Sequence, residues 1–167
     1  MRRAFLMTGL LALLPGRTSA QTQGLAPMLE GYAAQGLARL IASTRERAIA
    51  DGVRPIPVPV QRGLIGYFPD GLLRRVRFGV GRAEAISLPS LAFSYGDAAA
   101  ITLGDVVLFR DAAKASSDLK LWAHELTHVL QYQRWGIDGF AERYVRDSKG
   151  VEREAYDSAD RFAAWRK

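Results

Sequence analysis

The chain has 167 residues, 49% of them apolar and 24% charged, the balance of one globular domain rather than a disordered or fibrous chain. Cysteine is absent, so no disulfide holds the fold; a core of this size can suffice, helped by any metal that binds only the folded state. The formal charge of +6 falls to +3 without Arg2, Arg3 and Arg17, which leaves 20 basic residues against 17 acidic ones: too mild an excess to argue for nucleic acid, enough for weak attraction to anionic envelope polymers.

Residues 1–20 read as a secretory signal peptide. Arg2 and Arg3 give a basic start, residues 4–14 are a short apolar run broken by Pro15 and Gly16, and Thr18-Ser19-Ala20 offers small residues for cleavage before Gln21. The run is too short to span a bilayer comfortably, so the expectation is an exported protein, periplasmic or extracellular, with no stable membrane insertion after cleavage. An uncleaved N-terminal anchor is the alternative.

Residues 21–167 then form a single domain. After a loose start at 21–24, Leu25, Met28, Leu29, Tyr32, Ala33, Leu37, Leu40 and Ile41 recur at helical spacing, predicting an amphipathic helix to about Ala50 that Asp51-Gly52 ends. Residues 53–60 carry Pro55, Pro57 and Pro59, which argue against helix and central strand and predict an extended surface connector. Pro69-Asp70-Gly71 marks a turn, 72–75 a short helical turn, and Val76, Phe78 and Val80 alternate as in a half-buried strand. Residues 81–94 give no assignment. Ile101, Leu103 and Val106 to Phe109 predict a strand pair over 99–110, interrupted by a turn or bulge at Gly104-Asp105. Residues 111–117 read as a polar link, and Ser116, Ser117 and Asp118 as N-cap residues for a helix.

That helix carries the chemistry. Leu119, Trp122, Ala123, Leu126, Val129 and Leu130 form an apolar arc of about 120°. His124 and His128, the two histidines of the chain, lie opposite the centre of the arc with Leu121 and Tyr132 beside them. They should face a cleft or another helix, not the core their helix covers. With Glu125 they form HExxH: two metal ligands on one side of a helix and a general base. Two ordinary surface histidines are the plainer alternative. Gly136 ends the helix; Phe140, Tyr144 and Val145 predict a short helix stopped near Gly150, and Val151, Ala155, Ala159, Phe162 and Ala163 a final one.

Two neutral imidazoles and a carboxylate suit Zn²⁺, which as a catalytic ion takes three protein ligands and one water whose pKa falls to about 7. Glu125 would take that water's proton and pass it to the leaving nitrogen. A metzincin would place glycine and histidine where Gln131 and Arg134 stand, so the third ligand is expected to be a carboxylate: Asp138, Glu142, Asp147, Glu152, Glu154, Asp157 or Asp160. An element packing back across the histidine helix must supply it, which favours the helix opening at Val151. Its Glu152 and Glu154 point in different directions, so one at most can bind; for either one alone, a solvated, charged first turn is the default reading.

Ile101 to Asp105, Val107 to Arg110 and Leu121-Trp122-Ala123-His124-Glu125-Leu126-Thr127-His128-Val129-Leu130-Gln131 together resemble the bacterial zincin-like domain called the extracellular contractile injection system core domain, a family read as metallopeptidases. More loosely, the motif and a downstream glutamate resemble gluzincins. The resemblance implies a minimal zincin-like α+β domain, a small sheet packed on the HExxH helix with further helices before and after. In E-x-x-A-D-type gluzincins the glutamate is the third ligand; Glu152-Arg153-Glu154-Ala155-Tyr156 matches it with Glu152, while Tyr156 stands where aspartate is usual. The resemblance therefore implies His124, His128 and Glu152 as zinc ligands and Glu125 as catalytic base, and leaves Tyr156 to bond a ligand or steady the oxyanion. It also implies a peptide substrate lying along the 99–110 strand region. The leading expectation is an exported zinc metallopeptidase acting on protein or peptide. Its rivals are a non-catalytic zinc-binding structural or interaction module of an envelope or secretion system, and a zinc amidase acting on peptidoglycan peptides.

Overall fold

The computed structural model describes residues 19–81 and 99–167, with side chains from residue 26 onward. The body of the predicted leader and the stretch left unassigned by sequence lie largely outside these residues. The elements are α1 (Ser19–Gly52), β1 (Arg54–Pro55), α2 (Val58–Leu64), α3 (Asp70–Arg75), β2 (Arg77–Val80), β3 (Ala100–Leu103), β4 (Val106–Phe109), α4 (Ala112–Ser117) and α5 (Leu119–Trp165). The result is an α+β fold with a small four-stranded sheet. Among the described residues no helix is long and apolar enough to cross a membrane.

Helix α1 is longer than expected and splits into two parts. Ala34, Leu37, Ala38, Ile41 and Ala48 are buried at helical spacing, whereas Met28, Leu29 and Tyr32 are 57%, 65% and 67% exposed. The apolar stripe predicted from Leu25 onward therefore packs only in its second half; no described element covers the first. The backbone at 21–24, predicted as a loose start, is already helical. Gly52, with φ of 97°, ends the helix in the left-handed region where glycine carries no Cβ penalty.

The proline-rich connector is shorter than predicted. Pro55 sits on the outer strand β1, where a missing N–H breaks no inner ladder. Pro57 is the N-cap of α2 and Pro59 lies in its first turn. First-turn amides have no partner within the helix, so proline there starts a helix instead of excluding one. The predicted polar link at 111–117 is also helical: Asp111 caps α4, its Oδ1 accepting from Ala113 N at 2.6 Å.

The strand order is β1-β2-β4-β3. β2 runs parallel to β4, and β3 and β4 form an antiparallel hairpin turning at Gly104, where φ is 70°. Arg45 of α1 donates from Nε to Asp105 Oδ1 at 2.8 Å and ties this turn to α1. Alternation divides the hairpin between two cores. Ala100, Val107 and Phe109 join Phe78, Trp122, Ala123, Leu126 and Val129 on one face. Ile101, Leu103, Val106 and Leu108 join Leu37, Ile41, Tyr132, Phe140 and Val151 on the other. Phe109 and Trp122 are fully buried with ring centroids 4.6 Å apart, and the indole Nε1 donates to Ala115 O at 2.9 Å. Each such apolar side chain contributes roughly 1.5–3 kcal/mol by burial. The register (Thr102 opposite Val107, Ala100 opposite Phe109) puts Thr102 on the face that meets the first part of α5.

Candidate metal centre

Helix α5 is three helical segments separated by two breaks. Asp118 caps the first, its Oδ1 accepting from Leu121 N at 2.9 Å. Gly136, at φ 69° and ψ 176°, interrupts it, and Asp147, at φ −150° and ψ 69°, interrupts it again. Asp147 Oδ1 accepts from Gly150 N at 2.9 Å, so Asp147 caps the third segment. A Cβ on residue 150 would collide with that carboxylate, which is why glycine stands there. The third segment thus begins before Val151, three residues earlier than Gly150 as a stop would allow, and its rotation is set by its buried face, Val151, Ala155, Ala159 and Phe162. It packs back across residues 119–135 and delivers Glu152.

Three side chains converge. His124 Nε2 lies 3.1 Å from His128 Nε2, 3.4 Å separates His124 Nε2 from Glu152 Oε2, and 3.6 Å separates His128 Nε2 from Glu152 Oε1. These ligand atoms all lie within 4.8 Å of one another. A tetrahedral ion with ligands at about 2.0–2.2 Å spaces its ligand atoms about 3.3–3.6 Å apart, close to the observed triangle. The donor set, two imidazoles and one carboxylate, can hold a metal ion. Both histidines are buried, at 7% and 3% exposure, so they are not ordinary surface residues. The sequence-based expectation that they turn away from their helix's apolar core holds: Trp122, Ala123, Leu126 and Val129 fill that core.

Glu154 does something else. Its Oε2 accepts from Gln131 Nε2 at 3.0 Å and its Oε1 from Arg134 at 3.1 Å. Asp160 pairs with Lys120 at 2.7 Å, and Asp147 is a helix cap. Among the described residues, Glu152 is the carboxylate that joins both histidines.

Around the ligands, one residue was read in the sequence only as evidence against a metzincin. Gln131 Oε1 lies 2.8 Å from His128 Nδ1, and its Nε2 donates to Val151 O at 3.0 Å. Its position three residues after His128, on the same helical face, is the signal that was available. Thr102 was missed as well. Its Oγ1 donates to Glu125 Oε2 at 2.7 Å. That contact joins residues 23 apart, and no local pattern announces it. Tyr132, held neutral because burial pushes its phenol well above 10, donates to Thr102 O at 3.3 Å and steadies the same strand.

The charge balance favours a cation. Burial by itself lowers the pKa of His128, but the hydrogen bond and charge of Glu152, the charge of Glu125 and the contact with Gln131 outweigh it, and the net shift is upward. A site that attracts a proton to a buried imidazole attracts a metal ion for the same reason.

Glu125 and His124 border a cavity of about 250 Å³ lined also by Ala99, Ala100, Leu121 and Tyr156. Tyr156 is 61% exposed, with its ring 4.5 Å from that of His124. It reaches the site as a ring contact; its hydroxyl makes no hydrogen bond among the described residues.

Residues 55–136 match the family model of the eCIS core domain. The match supports placing the chain in that family. It runs from β1 to the break at Gly136, so it includes His124, Glu125 and His128 and stops before Glu152. No curated protein and no solved structure matches the chain.

Proposed function

We propose that this chain is an exported zinc-dependent metallopeptidase with a zincin-like site, acting on protein or peptide in the envelope or outside the cell. One observation carries the reading: His124, His128 and Glu152 converge as a three-donor set, and Glu125 borders the cavity that His124 also lines.

His124, His128 and Glu152 would hold the ion. Bound there, Zn²⁺ would supply Lewis acidity for a water and for the scissile carbonyl. Glu125 would accept the proton of the attacking water and hand it to the leaving nitrogen. Thr102 holds Glu125 Oε2, so the carboxylate keeps one rotamer through both transfers. Ala99, Ala100, Leu121 and Ala159 give the cavity a largely apolar wall, with Asp118 and Lys120 as its charged part. Tyr156, at the rim beside His124, is the donor available to the developing oxyanion. The family match adds the context of an injection or secretion assembly, in which the substrate or a partner would be another protein of that system.

A non-catalytic metal-binding module would use the same three ligands. It leaves unexplained a general base that is 3% exposed, held by Thr102 and set beside an open cavity.

The test pairs metal analysis with Glu125→Gln. The proposal expects zinc in both proteins, peptide cleavage by the wild type, and a loss of about 10²–10⁴-fold in kcat in the variant. Zinc-loaded wild type that cleaves nothing in a broad peptide library returns the site to the non-catalytic reading.

A further inference from the structure

Gln131 is completely buried, at 0% exposure, and is among the largest fully buried side chains of the protein. If it only filled space, leucine would do so without the cost of desolvating an amide. Instead each polar atom of the amide is used. Nε2 donates to Val151 O and to Glu154 Oε2, both at 3.0 Å. These two partners are obligate acceptors, which fixes the amide's orientation and leaves Oε1 facing His128 Nδ1 at 2.8 Å. An amide oxygen can only accept, so His128 must carry its proton on Nδ1. Its Nε2 lone pair is then free and points towards His124 and Glu152.

The same side chain does a second job. Its partners at Val151 and Glu154 lie on the first turns of the third segment of α5, on either side of Glu152. One amide therefore sets the tautomer and ring angle of one ligand and pins the backbone that carries another. The outer end of the network reaches solvent, where Arg134 pairs with Glu154. His124 has no counterpart to this arrangement among the described residues.

Resting on the reading of His124, His128 and Glu152 as metal ligands, we propose that Gln131 is a positioning residue of the centre. It pre-assembles His128 and Glu152, so metal affinity depends on a side chain that never touches the ion. Outer partners of this kind change metal affinity by about 10–100-fold when removed.

Gln131→Leu keeps the bulk and removes both donor and acceptor. Zn²⁺ affinity is read by competition with a chromogenic chelator, the fold by melting of the metal-free chain, and the tautomer by ¹⁵N-edited NMR of the zinc-loaded protein. The expected result is a folded variant that binds Zn²⁺ about 10–100-fold more weakly, with the protected His128 Nδ1–H signal of the wild type lost. Unchanged affinity with an unchanged signal overturns the proposal and leaves the ligand set standing. If Gln131→Leu does not fold, Glu154→Ala carries the test, since that side chain reaches solvent. A several-fold fall in affinity then supports the network, and an affinity equal to wild type refutes it. Wild type that binds neither Zn²⁺ nor Co²⁺ refutes the ligand set itself, and the role of Gln131 with it.

Discussion

The two histidines of the centre stand four residues apart on one helix, yet their surroundings are opposite. His128 is closed in: Gln131 holds its Nδ1, Phe140 approaches its ring at 6.1 Å, and Glu154 and Val151 brace the amide from the facing segment. His124 is open: it borders the cavity, with the exposed ring of Tyr156 at 4.5 Å. A site that only stores a metal gains from two closed sides. A site that must admit a substrate needs one side rigid and the other accessible. Under the proposed peptidase reading, the asymmetry would give assembly of the centre to the His128 side and substrate entry to the His124 side.

The strongest way to break this division is to remove the ligand that spans it. Glu152→Ala should weaken Zn²⁺ binding by about 10³-fold or more, since one of three protein donors is lost. Glu154→Ala, two residues away, should cost only several-fold. Equal effects in a chelator competition would mean that the two glutamates are interchangeable and the geometry is wrong.

The closed side also predicts a pH signature. The pKa of His128 is raised above 6.5 in the folded, metal-free chain. Protonation there stabilises the fold fully below about pH 6.5, and that contribution is lost as pH rises through the raised value. Zn²⁺ needs the imidazole deprotonated and takes the place of the proton. Melting of the metal-free chain between about pH 6 and pH 8 should show falling stability, while the gain in Tm on adding Zn²⁺ grows. A gain independent of pH across that window would contradict the coupling at His128.

The open side predicts the smallest effect on binding. Tyr156→Phe should leave Zn²⁺ affinity unchanged and lower kcat/KM by about 10-fold, below the roughly 10²–10³-fold of a buried oxyanion donor because the side chain is 61% exposed. A variant with wild-type activity removes Tyr156 from the chemistry and leaves it a ring packed on His124.

These contrasts explain what was readable in the chain. The α+β class comes with the family resemblance, while the helices, the strand pair and the apolar stripe of Trp122, Leu126 and Val129 follow from local periodicity. So does the projection of both histidines away from that stripe. The choice between Glu152 and Glu154 does not, because residues two apart on a helix point far apart and only its rotation decides between them. Docking of Val151, Ala155, Ala159 and Phe162 in the core sets that rotation, while Asp147 caps the segment's start and Gly150 read in isolation looks like a stop. Thr102 was hidden because its partner is distant in sequence. Prolines 57 and 59 misled because their missing amides matter only inside a helix, not in its first turn. Met28, Leu29 and Tyr32 misled for another reason: periodicity identifies an apolar face but not whether anything covers it.

The central claim is that His124, His128 and Glu152 together hold one metal ion. X-ray absorption on zinc-loaded protein, purified without chelator, tests it most directly. The account predicts one zinc per chain with two imidazole nitrogens and one carboxylate among its ligands at about 2.0–2.2 Å, and loss of that signature in Glu152→Ala. Zinc bound equally well by Glu152→Ala, or a first shell without two imidazoles, would contradict it.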